Sequence, residues 1–243
     1  MDEKNDKPRM ASGKYLKYAI GEIVLVVIGI LIAIQLNEWR LESNNNKQKQ
    51  TVLNALKVEF ETNLAQMDTT LFYTGKVLTI YPIVNELIKN ADKNTPRNVL
   101  SNALVNLSFQ YTFNPSNGAL RSAISSSEIH LLDKARLIEL LFSWEDVVKD
   151  AEEEAVRMRN FQYDTKSERG KHVRVAHTYE GYYPELEESN DSSNYLGLFQ
   201  DPDFEDYTSL TYIFAYEYIR ELNTIKNQNK EILALISEEL KGQ

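Results

Sequence analysis

YAIGEIVLVVIGILIAIQL, Tyr18 to Leu36, is an apolar run of 19 residues interrupted only by Glu22 and Gln35. At about 1.5 Å per residue, a helix of this length covers about 30 Å, the thickness of a bilayer's hydrocarbon core. A secretory signal has a shorter apolar region, roughly 7 to 15 residues, followed by a small-residue cleavage site. Here the run passes into Asn37, Glu38 and Trp39 without such a site. A core helix of a water-soluble protein would rarely carry Val24 to Ile34 with no charge on any face. The run therefore predicts a transmembrane helix, with membrane lipid as its partner.

The flanks agree with this reading. Tyr15, Tyr18 and Trp39 stand at the two ends, where amphipathic rings prefer the headgroup level. Lys4, Lys7, Arg9, Lys14 and Lys17 precede the run, and Arg40, Lys47 and Lys49 follow it. The excess before the span favours a cytoplasmic N-terminus and a domain on the far side, which in a bacterial inner membrane is the periplasm. Glu22 is the one ionisable group inside the run. It lies about one turn from Tyr18, so it reads either as an interfacial carboxylate or, with Gln35, as the lining of an oligomer.

Composition narrows the remainder. Of the net charge of −9, residues 1 to 49 hold eight basic and six acidic side chains, and the rest of the chain 19 against 30. Such an acidic domain repels a polyanionic backbone, which argues against nucleic acid as a partner. The absence of cysteine excludes disulfide frameworks, thiolate metal sites and cysteine nucleophiles.

Beyond the polar connector 37–50, apolar residues return at Leu53, Leu56, Phe60, Leu64, Met67 and Leu71, a helical stripe. It is able to continue the first helix, with Asn44 to Asn46 the favoured place for a break and Pro82 for a bend near Tyr81. Thr95 and Pro96 open a helix through Leu100, Leu104, Leu107 and Tyr111. Asn114 to Gly118 form a turn before a short helix, Ala119 to Ser126. Asp133 is read as the cap of a longer helix whose Glu152 to Glu154 face water. From Thr165 to Pro202 periodicity fails, and VRVAHTY, Val173 to Tyr179, is open to reading as a short strand. Asp201-Pro202-Asp203 starts the final helix, with its stripe near Leu210, Ile213, Phe214, Tyr218, Leu222 and Ile225. The expected fold is all-α: a tail over 1–17, a transmembrane helix over 18–36, the connector, and a bundle-like helical domain over 51–243 with one irregular loop, 165–202.

KYLKYAIGEIVLVVIGILIAIQLNEW, Lys14 to Trp39, resembles the signature KYxxYAIGEIxLVVIGILIAxQxNxW of a family of uncharacterised single-pass membrane proteins from Gram-negative bacteria, a domain of unknown function. NPSNGALRSAISSSEIHLLDKARLIELLFSWEDV, Asn114 to Val147, is similar to that family's middle region. The resemblance implies a membrane-anchored helical protein and brings no catalytic residues.

Site chemistry is sparse. His172 and His177 on a loop lack the partners of a zinc site and read as surface residues, as does His130. Asp201, Asp203 and Asp206 suit a helix start, where the dipole favours carboxylates, better than a calcium loop. Ser125 to Ser127 lack a nucleophile elbow, and no phosphate-binding glycine loop or dinucleotide fingerprint occurs. No cofactor, metal or catalytic residue is expected. Asn117, Gly118, Arg121 and Trp144 are the interaction candidates, because Arg and aromatic residues dominate binding hot spots. The leading reading is a non-catalytic envelope protein that binds an unidentified envelope protein or a second copy of itself. An oligomeric channel or transport accessory using Glu22 and Gln35, and an enzyme centred on Thr165 to Pro202, are the alternatives.

Overall fold

The computed structural model describes residues 12–108, 111–179, 183, 185 and 193–242. Lys4, Lys7, Arg9 and Tyr182 lie outside them, as do the side chains of Lys14 and Tyr15. Among the described residues the protein is all-α, with no strand. The elements are α1 (Ser12–Asn90), α2 (Arg97–Ser108), α3 (Gly118–Ser125), a single 3₁₀ turn (Glu128–Leu131), α4 (Ala135–Asp164), α5 (Lys166–Arg169), α6 (Val175–Tyr179), α7 (Tyr195–Phe199) and α8 (Pro202–Lys241). The chain divides into two compact units, Met1–Thr51 and Val52–Gln243.

In the first unit, α1 presents Tyr18 to Leu36 with none of the described residues packed on it. The large aliphatic side chains from Ile20 to Leu36 are 47% to 74% exposed. Asn44 to Asn46 do not break the helix, which runs on through Pro82 to Asn90. Asn costs a helix only about 0.7 kcal/mol relative to Ala, so three of them without Gly or Pro do not compel a break. Pro82 removes one backbone donor, a cost set against the buried Val77 and Val84 on either side of it.

In the second unit the core forms where α1 beyond Val52, α4 and α8 bury matching stripes. On α1 a line of buried positions runs through Leu53, Leu56, Phe60, Asn63, Met67, Thr70, Thr74 and Val77, with steps alternating between three and four. The stripe keeps period 3.5, so it passes through Asn63, Thr70 and Thr74, and Leu64 and Leu71 stand beside it, half-buried. On α8 the seam is Phe204, Tyr207, Thr211, Ala215, Tyr218, Leu222, Ile225, Asn229, Ile232, Ile236 and Glu239. This corrects the phase expected for its first turns, since Leu210 and Ile213 are exposed. Two of the buried threonines return their hydroxyls to the preceding turn, Thr70 to the Gln66 carbonyl at 3.0 Å and Thr211 to that of Tyr207 at 2.8 Å, while the Thr74 hydroxyl has no partner among the described residues.

Helix ends follow local chemistry, with two corrections. Thr95 closes the turn before α2 by accepting from the Asp92 N–H at 3.0 Å, and Pro96 directly precedes the first helical residue. Asp201 caps α8 by accepting from the Asp203 N–H at 3.0 Å. Asp133 does not cap α4. Lys134 holds that position, and the Asp133 N–H donates to Glu239 on α8 at 2.6 Å. The stretch 165–202 is not wholly irregular, since it carries α5, α6 and α7, and Val175–Tyr179 is helix rather than strand.

Candidate functional site

The turn before α3 is gripped from both sides. A helix leaves its first backbone N–H groups without intrahelical acceptors and favours negative charge there. For α3 the acceptor comes from a different helix. Glu59 on α1, 7% exposed, accepts from the Ala119 N–H at 2.7 Å, the Leu120 N–H at 3.0 Å and the Ser116 hydroxyl at 3.3 Å. One turn further along α1, the Asn63 amide accepts from the Ser116 N–H and donates to the Ser116 carbonyl, both at 2.8 Å.

From the other side, Trp144 on α4 donates its indole N–H to Asn117 at 3.1 Å and meets the Phe60 ring edge-on at 4.8 Å. The four interaction candidates thus stand at one place, together with Glu59 and Asn63, which the sequence reading missed. Three of them belong to the interior of the grip. Trp144 is fully buried, Asn117 spends its side-chain oxygen on Trp144, and Gly118 lies against the Glu59 carboxylate. Arg121 carries its side chain out to water, paired with Glu145 at 2.7 Å. The signal for Asn63 was its place in the three-four seam between Phe60 and Met67.

The histidines are not all surface groups. His177 is buried, its Nδ1 2.8 Å from the Ser193 hydroxyl, and His172 Nε2 lies 2.7 Å from Asp201 Oδ2. The Asp203 N–H, and after it His172, hold the Asp201 carboxyl below the usual carboxylate range. The first contact closes the segment between α5 and α8 on itself, and the second ties it to the residue that caps α8. His130 is exposed.

A cavity of about 380 Å³ opens between α2, the end of α4, α5 and α6. Arg159, Gln162, Tyr163, Lys166 and Arg169 line it from one continuous face, with Leu104, Ser108, Val173, Val175, Thr178 and Tyr179 completing the wall. Three of the lining residues are cations and none is a carboxylate. Arg169 is held in place: it donates to the Thr165 hydroxyl at 2.8 Å and the Gln162 carbonyl at 3.2 Å, and stacks on the Tyr207 ring at 4.1 Å. The sequence did carry this signal, as R-x-x-Q-Y-x-x-K-x-x-R from Arg159 to Arg169, a helical stripe of donors in an otherwise acidic domain.

Glu22 and Gln35 are both exposed on α1. Thirteen residues at about 100° each place them roughly 140° apart around the helix and about 20 Å apart along it. They do not share one face.

Fold and site define an all-α protein in which one helix, long and apolar enough to cross a membrane, joins a helical domain bearing an internal grip and a cationic cavity. The chain belongs to a family of unknown function, DUF6090, whose model matches residues 22–145. That span holds all of Glu59, Asn63, Asn117, Arg121, Trp144 and Glu145, and stops short of the cavity's cationic face. No curated protein and no solved structure matches the chain.

Proposed function

We propose that the protein is a non-catalytic binding module of the bacterial envelope, held by α1 crossing the inner membrane through Tyr18 to Leu36. The observation that carries this reading is the bare apolar surface of that stretch, in which none of the most apolar window is buried. Covering a large aliphatic side chain is worth roughly 1.5–3 kcal/mol, and a soluble protein's core helix gains that from its own chain. Here lipid supplies the cover. Helical hydrogen bonding that continues to Asn90 favours a retained anchor over a cleaved signal. The basic residues before Tyr18 favour an N-terminus in the cytoplasm and a domain in the periplasm, where it meets an envelope protein or a second copy of the chain.

The test is fractionation and reporter fusion in a Gram-negative host. The full chain stays with membranes through alkaline carbonate washing. Alkaline phosphatase fused after Gly242 is active, while a fluorescent protein fused there is dark. Recovery of the chain in the carbonate supernatant would refute the anchor, and the opposite reporter pattern would refute the orientation.

A further inference from the structure

We infer that the cavity between α2, the end of α4, α5 and α6 binds a small phosphate ester. Its volume, about 380 Å³, lies within the range of small-molecule sites, and its wall combines apolar side chains with a few convergent polar ones. The charge pattern points to an anion. Carboxylates outnumber cations in this part of the chain, and Arg121, Arg136, Arg157 and Arg220 each sit on one, at 2.7 to 3.1 Å. Arg159, Lys166 and Arg169 have no carboxylate partner among the described residues, although all three border one concavity. Like charges gathered without a counter-ion repel, so the arrangement is favourable only when something negative enters.

A second observation is independent of charge. Gln162, in the same wall, has its Nε2 buried behind the cavity surface and bonded to nothing among the described residues, so turning that amide toward an entering oxygen breaks no hydrogen bond of the nitrogen. The fixed guanidinium of Arg169 keeps further N–H groups in a planar fork, the geometry that matches phosphate oxygens, and Lys166 adds a point charge. Tyr163 and Tyr179 also line the cavity and add aromatic surface for the body of the ligand. The domain's net negative field repels a long polyanion, but over a Debye length of roughly 8–10 Å the cavity's own charges dominate for a small one.

The ester has two sources, a soluble metabolite or a phospholipid headgroup, and the experiment separates them. The full chain, purified in a neutral detergent, is titrated calorimetrically with phenyl phosphate, with phenol, and with phosphatidylglycerol or phosphatidylcholine in mixed micelles. The expected result is saturable binding of phenyl phosphate, or of phosphatidylglycerol if the source is lipid, and none of phenol. Arg159→Gln/Lys166→Gln, both changes at exposed positions, weakens that binding by about tenfold or more while the melting temperature stays put. Arg169→Gln weakens it further, and should that variant fail to fold, the double variant decides. Absence of saturable binding by either phosphate probe, equal binding of phenol, or wild-type affinity in the double variant each overturns the inference. Binding in detergent requires no particular topology of α1, so failure here leaves the anchor untouched, and the reverse.

Discussion

Asn229 is fully buried in the α8 seam, and both atoms of its amide lack a hydrogen-bond partner among the described residues. A buried unpaired amide costs roughly 1–3 kcal/mol, so Asn229→Leu is expected to raise stability by about that amount, read by chemical denaturation of the detergent-solubilised chain. No gain, or a loss, would mean that the amide has an acceptor after all. Glu59 is the opposite case. Glu59→Ala strands the N–H groups of Ala119 and Leu120 and is expected to cost about 1–3 kcal/mol, with Glu59→Gln, which keeps one acceptor, between it and wild type. At Asp201 the sign follows from the lowered carboxyl. The ionised form's contribution is complete above the ordinary carboxylate range and fades as pH falls through the lowered value. Thermal melts of wild type and Asp201→Asn, which keeps a capping oxygen, should therefore differ by a constant amount above pH ~5 and converge only as pH falls well below the ordinary carboxylate value of ~3.9. Curves that run parallel across that window would show that ionisation of Asp201 does not matter.

Among elements, the long helices and the eight-residue α3 were legible, and the helices of four or five residues were not. α1 and α8 repeat a three-four pattern over many turns, so each residue's placement is supported by those before and after it. The phase was harder. Leu64, Leu71, Leu210 and Ile213 drew the expected stripe toward themselves because hydrophobicity alone does not rank Asn63, Thr70 or Thr211 as core. Backbone carbonyls one turn away, and the Ser116 main chain, satisfy those polar groups and let them occupy the seam. α5, α6 and α7 have four or five residues each, too few to show a period, and are fixed by contacts such as the Asn194 cap on the Gly197 N–H at 2.8 Å. The seam makes a comparative prediction on α8. Leu222→Ala is expected to cost about 2–5 kcal/mol, and Ile213→Ala less than about 0.5 kcal/mol, measured side by side by denaturation. Equal losses would mean that the seam runs elsewhere.

For the molecule as a whole, the apolar run was readable because its length and polarity match what lipid imposes on a segment that it solvates, the environment proposed for it above. The site was less readable, because Glu59 meets its partners 57 to 61 residues away, a pairing that no spacing rule reports. Assembly is testable at this scale. On the proposed anchoring, Glu22, within about a turn of Tyr18, would reach water at the membrane surface, so Glu22→Ala is expected to leave the detergent-solubilised mass unchanged by light scattering. A change of mass would put Glu22 in a contact between helices. The grip on the α3 turn has a different consequence, for tolerance to mutation. Glu59 and Asn63 hold peptide groups, which every amino acid except proline supplies in full, and draw little on the identity of the residues held. In a saturation library scored for folded protein, Ser116 and Ala119 should accept many replacements while Glu59 and Asn63 accept few, so that inheritance constrains the hand more tightly than what it grasps.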